Sequence, residues 1–117
     1  MITTTPLMQL LQGYLKVTSD RQQVIASNIA NVDTPGYRTK DIDFQSAMKL
    51  AMDGASESRM EGASVAVDGL PEQPDGNNVN IDRESMLLSQ TQLQYQMGVQ
   101  LIKDEFHRLL TAIKDGN

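Results

Sequence analysis

The chain contains one histidine and no cysteine, so thiol chemistry is excluded and any histidine-based acid–base chemistry rests on His107. His107 has no second histidine or cysteine with which to hold a metal ion. The sequence holds no glycine-rich phosphate loop, no histidine paired with a nucleophile and no pair of acids at a catalytic spacing. We therefore expect no catalytic residue, no cofactor-binding residue and no metal ligand, and we expect His107 to lie at the surface or in an interface.

A cluster of oxygen-bearing residues in front of the last predicted helix has some of the composition of a calcium-binding loop. An EF-hand loop needs oxygen ligands at positions one, three and five and glycine at position six. With Asp75 at position one, Val79 falls at position five and Gly76 at position two. The favoured interpretation is a turn, with Asn80 as the N-cap of the helix that follows.

The charge and length of the chain exclude several other classes of protein. Its 10 basic residues lie singly and are outnumbered by 15 acidic ones, which argues against binding to nucleic acid or to an acidic membrane surface. No apolar run approaches the roughly 20 residues that span a bilayer. Residues 1–16 lack the features of a cleaved secretory signal peptide. A length of 117 residues predicts a single domain over 1–117.

Residues 6–32 are predicted to form a first long helix, because Pro6 suits a first helical turn and no proline follows until residue 35. Its apolar residues share one face at helical spacing: Leu7, Leu11, Tyr14, Ile25, Ile29 and Val32. Thr18 and Arg21 interrupt this face in the middle of the helix.

Residues 81–114 are predicted to form a second, longer helix that is apolar on two sides, and Gly98 is the one residue that weakens it. One stripe has coiled-coil spacing and consists of Leu88, Tyr95, Val99, Ile102, Phe106, Leu109 and Ile113. The stripe roughly opposite consists of Met86, Leu93, Met97 and Leu101. A helix with two apolar sides needs more than one partner, so these stripes are the candidate assembly interface.

The length of the second helix also favours assembly. It would extend roughly 50 Å, whereas a compact globule of this chain length is only about 35 Å across. We therefore predict an all-α fold in which the two long helices pair as an antiparallel coiled coil and bundle with other subunits. Residues 33–80 would form a turn and an extended, Gly/Pro-rich connecting segment with little regular structure. Within it, Gln45–Met52 is a candidate short helix and Val65–Val67 a candidate strand.

The end of the first helix carries the most informative motif. Pro35 forbids continuation of the helix, and Pro35-Gly36 suits the centre of a type II turn in which Gly36 takes a positive φ. Residue types alone favour a simple helix stop. The whole pattern, however, resembles the signature of the flagellar basal-body rod proteins, and the matching residues are Asn28, Ala30, Asn31, Thr34, Pro35, Gly36 and Tyr37.

A second motif narrows this resemblance. The stretch Asp75, Gly76, Asn77, Asn78 and Val79 looks like the segment before the last helix of the proximal rod proteins of that family. The longer members carry an inserted domain that this chain has no room for. The resemblance extends from about residue 7 to residue 117 and is weakest at residues 1–5 and 54–64.

The resemblance implies a non-enzymatic structural subunit of the proximal rod, in the periplasmic part of the bacterial flagellar basal body. It implies export through the flagellar type III apparatus without a cleaved signal peptide, and assembly into a tube that transmits torque from the motor to the hook. The implied partners are other copies of the chain, the neighbouring rod protein FlgC, the hook–basal-body adaptor FliE and the type III export gate. The alternatives are a cytoplasmic coiled-coil adaptor and a type III export chaperone.

Overall fold

The computed structural model of the chain describes residues 5–54 and 63–115, so part of the predicted connecting segment lies outside the described residues. The elements in chain order are α1 (Pro6–Ala30), β1 (Lys40–Ile42), α2 (Phe44–Met52), β2 (Ser64–Ala66) and α3 (Ile81–Asp115). The two long helices pack against each other, and the molecule measures 68 × 26 × 19 Å. The prediction of an all-α fold is confirmed only in part, because the chain is mostly helical but also contains a small two-stranded sheet.

Both long helices begin at caps that the sequence supplies. In front of α1, the Thr5 hydroxyl accepts a hydrogen bond from the Met8 amide at 3.1 Å. In front of α3, the Asn80 side chain accepts one from the Arg83 amide at 3.1 Å, which confirms the predicted N-cap. The first helix ends at Ala30 because the backbone of Asn31 leaves the helical conformation, with φ −105° and ψ 18°.

The connecting segment contains more regular structure than the sequence predicts. The candidate helix is present as α2, which begins after the N-cap Asp43, and the candidate strand is present as β2. The expectation of little regular structure missed β1, which pairs with β2 in antiparallel register through Asp41 opposite Val65. The three residues of β1 have no apolar alternation of their own, so only the pairing with a distant segment makes them a strand.

The small apolar core lies where α2 packs against the middle of α1. Val17, Ala47 and Ala63 are buried at its centre. A Cβ atom on Gly13 of α1 would lie 3.3 Å from the sulfur of Met52, so the glycine permits close approach of the two helices. The guanidinium of Arg21 binds both carboxylate oxygens of Asp41 at 3.0 and 3.1 Å, which explains why a charged residue interrupts the apolar face of α1.

Candidate functional site

The face on which α3 meets α1 is made largely of polar and small residues. The buried residues of α3 are Glu84, Leu87, Thr91, Gly98 and Glu105. The helices run antiparallel, since Asn28 near the end of α1 contacts Glu84 near the start of α3, and Tyr14 lies beside Gly98. A Cβ atom on Gly98 would lie 2.8 Å from Cδ2 of Leu15 and 3.1 Å from Cδ1 of Tyr14. Gly98 therefore allows a close approach of the two helices, a role that its position in the sequence did not indicate.

The structure places the predicted apolar stripes of α3 beside this buried face and not in it. The half-buried members are Leu88, Val99, Ile102 and Leu109. The exposed members are Met86, Leu93, Tyr95, Met97, Leu101, Phe106 and Ile113. In the predicted face of α1, Leu11 and Ile25 are buried, whereas Leu7 is 46% exposed. The isolated chain thus leaves most of the predicted assembly interface accessible.

The two sequence motifs, in contrast, are brought together at one end of the helix pair. Around them lies a cluster of polar side chains that we call the polar joint, formed by Asn28, Tyr37, Thr39, Asn77, Asn78 and Glu84. All of these except Tyr37 are at most 2% exposed. The joint connects the end of α1, the start of β1 and the segment that leads into α3.

Asn28 is the centre of the polar joint. Its amide nitrogen donates to the Lys40 carbonyl at 2.8 Å and to the Glu84 carboxylate. Its amide oxygen accepts from the Lys40 amide at 3.1 Å and from the Tyr37 hydroxyl at 3.3 Å. The side chain therefore pairs with the backbone of Lys40 in both directions, as a neighbouring strand would, and satisfies its hydrogen-bonding capacity in a buried position.

Glu84 supplies the charged group of the joint. Its side chain is fully buried and accepts hydrogen bonds from Asn28 and, at 3.0 Å, from the guanidinium of Arg83. It also lies in the first turn of α3, where the helix dipole favours negative charge. Leaving a buried charge unpaired is costly, so the contact of Glu84 with Asn28 holds the beginning of α3 against the end of α1.

Asn77 and Asn78 connect the second motif to the first. The Asn77 amide donates to the carbonyls of Asn31 and Thr34 at 2.9 and 2.8 Å, and so binds the turn that follows α1. The Asn78 side chain accepts from the Thr39 amide at 2.6 Å. Its own amide nitrogen is buried and has no partner among the described residues.

The turn at residues 34–37, which closes the first motif, has the predicted geometry. The Tyr37 amide donates to the Thr34 carbonyl at 3.2 Å, and Gly36 has a φ of +74°, so the predicted positive φ is confirmed. The Gly36 amide donates to the Asp75 carbonyl at 2.9 Å, and a Cβ on Gly76 would lie 3.5 Å from Cα of Gly36.

The remaining motif residues lie around the joint. Ala30, Pro35 and Asp75 are exposed at its edge, and Val79 is buried beside it. The Asn31 side chain accepts a hydrogen bond from the Thr34 hydroxyl at 3.0 Å and donates one to the Ser27 carbonyl at 2.7 Å. Of the joint residues, Thr39 and the role of Glu84 were not predicted from the sequence. An acid one turn after the asparagine-rich residues 77–80 is the signal that could have suggested the role of Glu84.

The charged pair at the other end of the buried face is Glu105 and Arg108. The guanidinium donates to both carboxylate oxygens at 2.6 and 3.1 Å. This hydrogen bonding holds the pKa of Glu105 below its ordinary value, although burial opposes the shift. Glu105 is 6% exposed, so the pair keeps a carboxylate charged at the edge of the contact with α1.

These groups form connections and not a reaction centre. Within residues 5–54 and 63–115, no three His, Cys, Asp or Glu side chains are grouped so that they could hold a metal ion. In the same part of the chain, no helix has the length and hydropathy required to cross a membrane. His107 is exposed on α3. The chemistry of the polar joint is therefore the fixing of backbone directions by hydrogen bonds.

Comparison with known proteins agrees with the family resemblance. Residues 8–38 match the family model described as flagella basal body rod protein, and this range contains the whole first motif. The flagellar basal body rod protein FlgB of Salmonella typhimurium is 35% identical, with 91% of each chain covered. The FlgB proteins of Escherichia coli and Bacillus subtilis are 32% and 31% identical, over 91% and 93% of this chain and 91% and 94% of their own. The chain therefore belongs to the FlgB family of flagellar basal body rod proteins.

Proposed function

We propose that the chain is a structural subunit of the flagellar basal-body rod and has no enzymatic activity. The observation that carries the proposal is its similarity, over about nine-tenths of its length, to proteins named flagellar basal body rod protein FlgB. The fold is consistent with this role. An elongated pair of helices that leaves large apolar side chains exposed along its length is suited to burial between neighbouring subunits.

The subunit carries load through its two long helices, which act as an antiparallel coiled coil. The buried residues of α3 at positions 84, 87, 91, 98 and 105 follow steps of three, four, seven and seven, as expected of a heptad seam. On α1, Leu11, Thr18 and Ile25 are buried at steps of seven. The polar joint fixes the two helices at one end, so a force on one helix passes to the other.

The rod subunit assembles with further copies of itself and with other rod components. Family membership supports a place in the basal body, and the family resemblance supports the finer partners, namely FlgC, FliE and the export gate. It also supports passage through the type III export apparatus and a periplasmic position. A narrow helix pair with a small apolar core can be unfolded for export and regain order on assembly. Nothing in the structure or the relatives favours a cytoplasmic adaptor or an export chaperone.

Fractionation tests the proposal directly. A strain that carries an epitope-tagged chain in place of the native gene should be motile, and purified basal bodies should contain the tagged chain. Deletion of the gene should abolish motility and remove the rod and hook while leaving the membrane rings. A chain found only in the soluble fraction, with motility retained after deletion, would show that the proposed function is wrong.

A further inference from the structure

The exposed apolar residues of α3 form two surfaces of different chemistry. On one side of the buried face lies the methionine flank, which consists of Met86, Leu93, Met97 and Leu101, each at least 51% exposed. On the other side lies the aromatic flank, which consists of the exposed Tyr95 and Phe106 and the half-buried Leu88 and Val99. At about 100° per residue, the methionine flank lies roughly 110° from the buried seam and the aromatic flank roughly 75° from it, in opposite directions. The two flanks therefore face away from each other, toward different neighbours.

The first three residues of the two flanks have the same spacing along the helix. The methionine flank runs from Met86 in steps of seven, four and four, and the aromatic flank begins two residues later with steps of seven, four and seven, so the fourth members do not correspond. Two residues correspond to about 3 Å along a helix. If two copies lie side by side and parallel, with no axial shift, Leu93 of one copy lies within about 3 Å of the height of Tyr95 of the next, and Met97 within about 3 Å of the height of Val99.

The charges beside the flanks are complementary in the same arrangement. Asp104 borders the methionine flank, three residues after Leu101, and Lys103 borders the aromatic flank, three residues before Phe106. Both charged residues are exposed. In parallel, unshifted copies the acid of one copy lies at the height of the base of the next, which favours this pairing over contact between like flanks.

We propose that the occupant of the methionine flank is the aromatic flank of a second, parallel copy of this chain. The inference rests on the proposed rod function and names the surfaces that it uses. The pairing buries apolar side chains of both flanks in every copy except those at the edges. A contact between two different surfaces is heterologous, so it leaves an identical surface open for the next copy and can propagate into a wall. A two-fold contact of one flank with itself would cover one flank and stop.

Cysteine cross-linking distinguishes these arrangements because the natural chain contains no cysteine. The double variant Leu93→Cys/Tyr95→Cys, in purified basal bodies under mild oxidation, should give a ladder of covalent dimers, trimers and longer species. Each single variant should remain monomeric. The matched control is Gln92→Cys/Gln96→Cys, which uses the exposed polar side of the same helix and should give no ladder. Met97→Cys/Val99→Cys repeats the test one turn away.

Each result bears on the proposal. Dimers from Leu93→Cys alone would show a contact of the methionine flank with itself and would overturn the proposal. A cross-link to a different rod protein would overturn it as well. A variant that is present in basal bodies but gives no ladder at either level would overturn the flank pairing and leave the rod function intact. Absence of the wild-type chain from basal bodies would instead refute the rod function.

A charge exchange gives an independent readout. Asp104→Lys and Lys103→Asp should each reduce swarming, and the double exchange should restore it, because the heterologous contact then regains opposite charges. Failure of the double exchange to improve on either single variant, at equal protein levels, would contradict the pairing.

Discussion

Replacement of Asn28 by alanine should destabilise the chain far more than replacement of Asn31, a half-buried asparagine at the same helix end. Asn28 is fully buried and makes four hydrogen bonds, one of them to the buried carboxylate of Glu84. A hydrogen bond to a charged group contributes about 1.5–3 kcal/mol and a neutral one about 0.5–1.5 kcal/mol. The bonds of Asn28 to the Lys40 backbone are part-buried, so water can partly replace them, whereas the bond to Glu84 is fully buried. We therefore expect a loss of about 3 kcal/mol.

The measurement is urea unfolding followed by far-ultraviolet circular dichroism. The matched control is Asn31→Ala, whose side chain bonds Ser27 and Thr34 near the surface and whose loss should cost about 1 kcal/mol or less. A double-mutant cycle between Asn28→Ala and Glu84→Ala should give a coupling energy of at least about 1 kcal/mol. Equal effects of Asn28→Ala and Asn31→Ala, or a coupling near zero, would refute the assignment of Asn28 as the centre of the polar joint.

The remaining predictions concern the turn, the close helix contact and the charged pair. In Gly36→Val the valine must adopt a positive φ at a cost of about 1–2 kcal/mol. The variant should keep near-normal helical circular dichroism but be absent from basal bodies. A motile strain that carries it would contradict this. Gly98→Ala places a methyl group against Tyr14. The overpacking cost of roughly 1–3 kcal/mol should exceed the helix-propensity gain of about 1 kcal/mol, so the variant should be less stable. A higher urea midpoint than that of the wild type would contradict this. Because the pKa of Glu105 is lowered in the folded chain, its stabilising effect is present above the ordinary value of 4.5 and is lost as the pH falls further. Glu105→Gln should therefore make stability less dependent on pH in that acidic range, as measured by urea midpoints, and an unchanged pH dependence would count against the Arg108 contact.

Local signals in the sequence were sufficient to predict the two long helices and the turn at residues 34–37, which closes the first motif. Pro6 and Asn80 mark helix starts through backbone geometry and capping, which depend only on near neighbours in the chain. The positive φ of Gly36 likewise follows from the adjacent Pro35 and the chemistry of the turn. The strand β1 was missed because its pairing residues are more than 20 positions away.

The sequence by itself determined that the chain is mostly helical and that two motifs mark it as similar to rod proteins. Tertiary structure alone decided that those motifs form one buried joint, because Asn28 and Glu84 are far apart in the chain. It also decided which face of α3 is buried. Periodicity shows which residues share a face, but it does not show which face the partner helix covers. Here Gly98 permits α1 to pack closely on a face of α3 that consists of polar and small residues, and the apolar flanks remain available for neighbouring subunits.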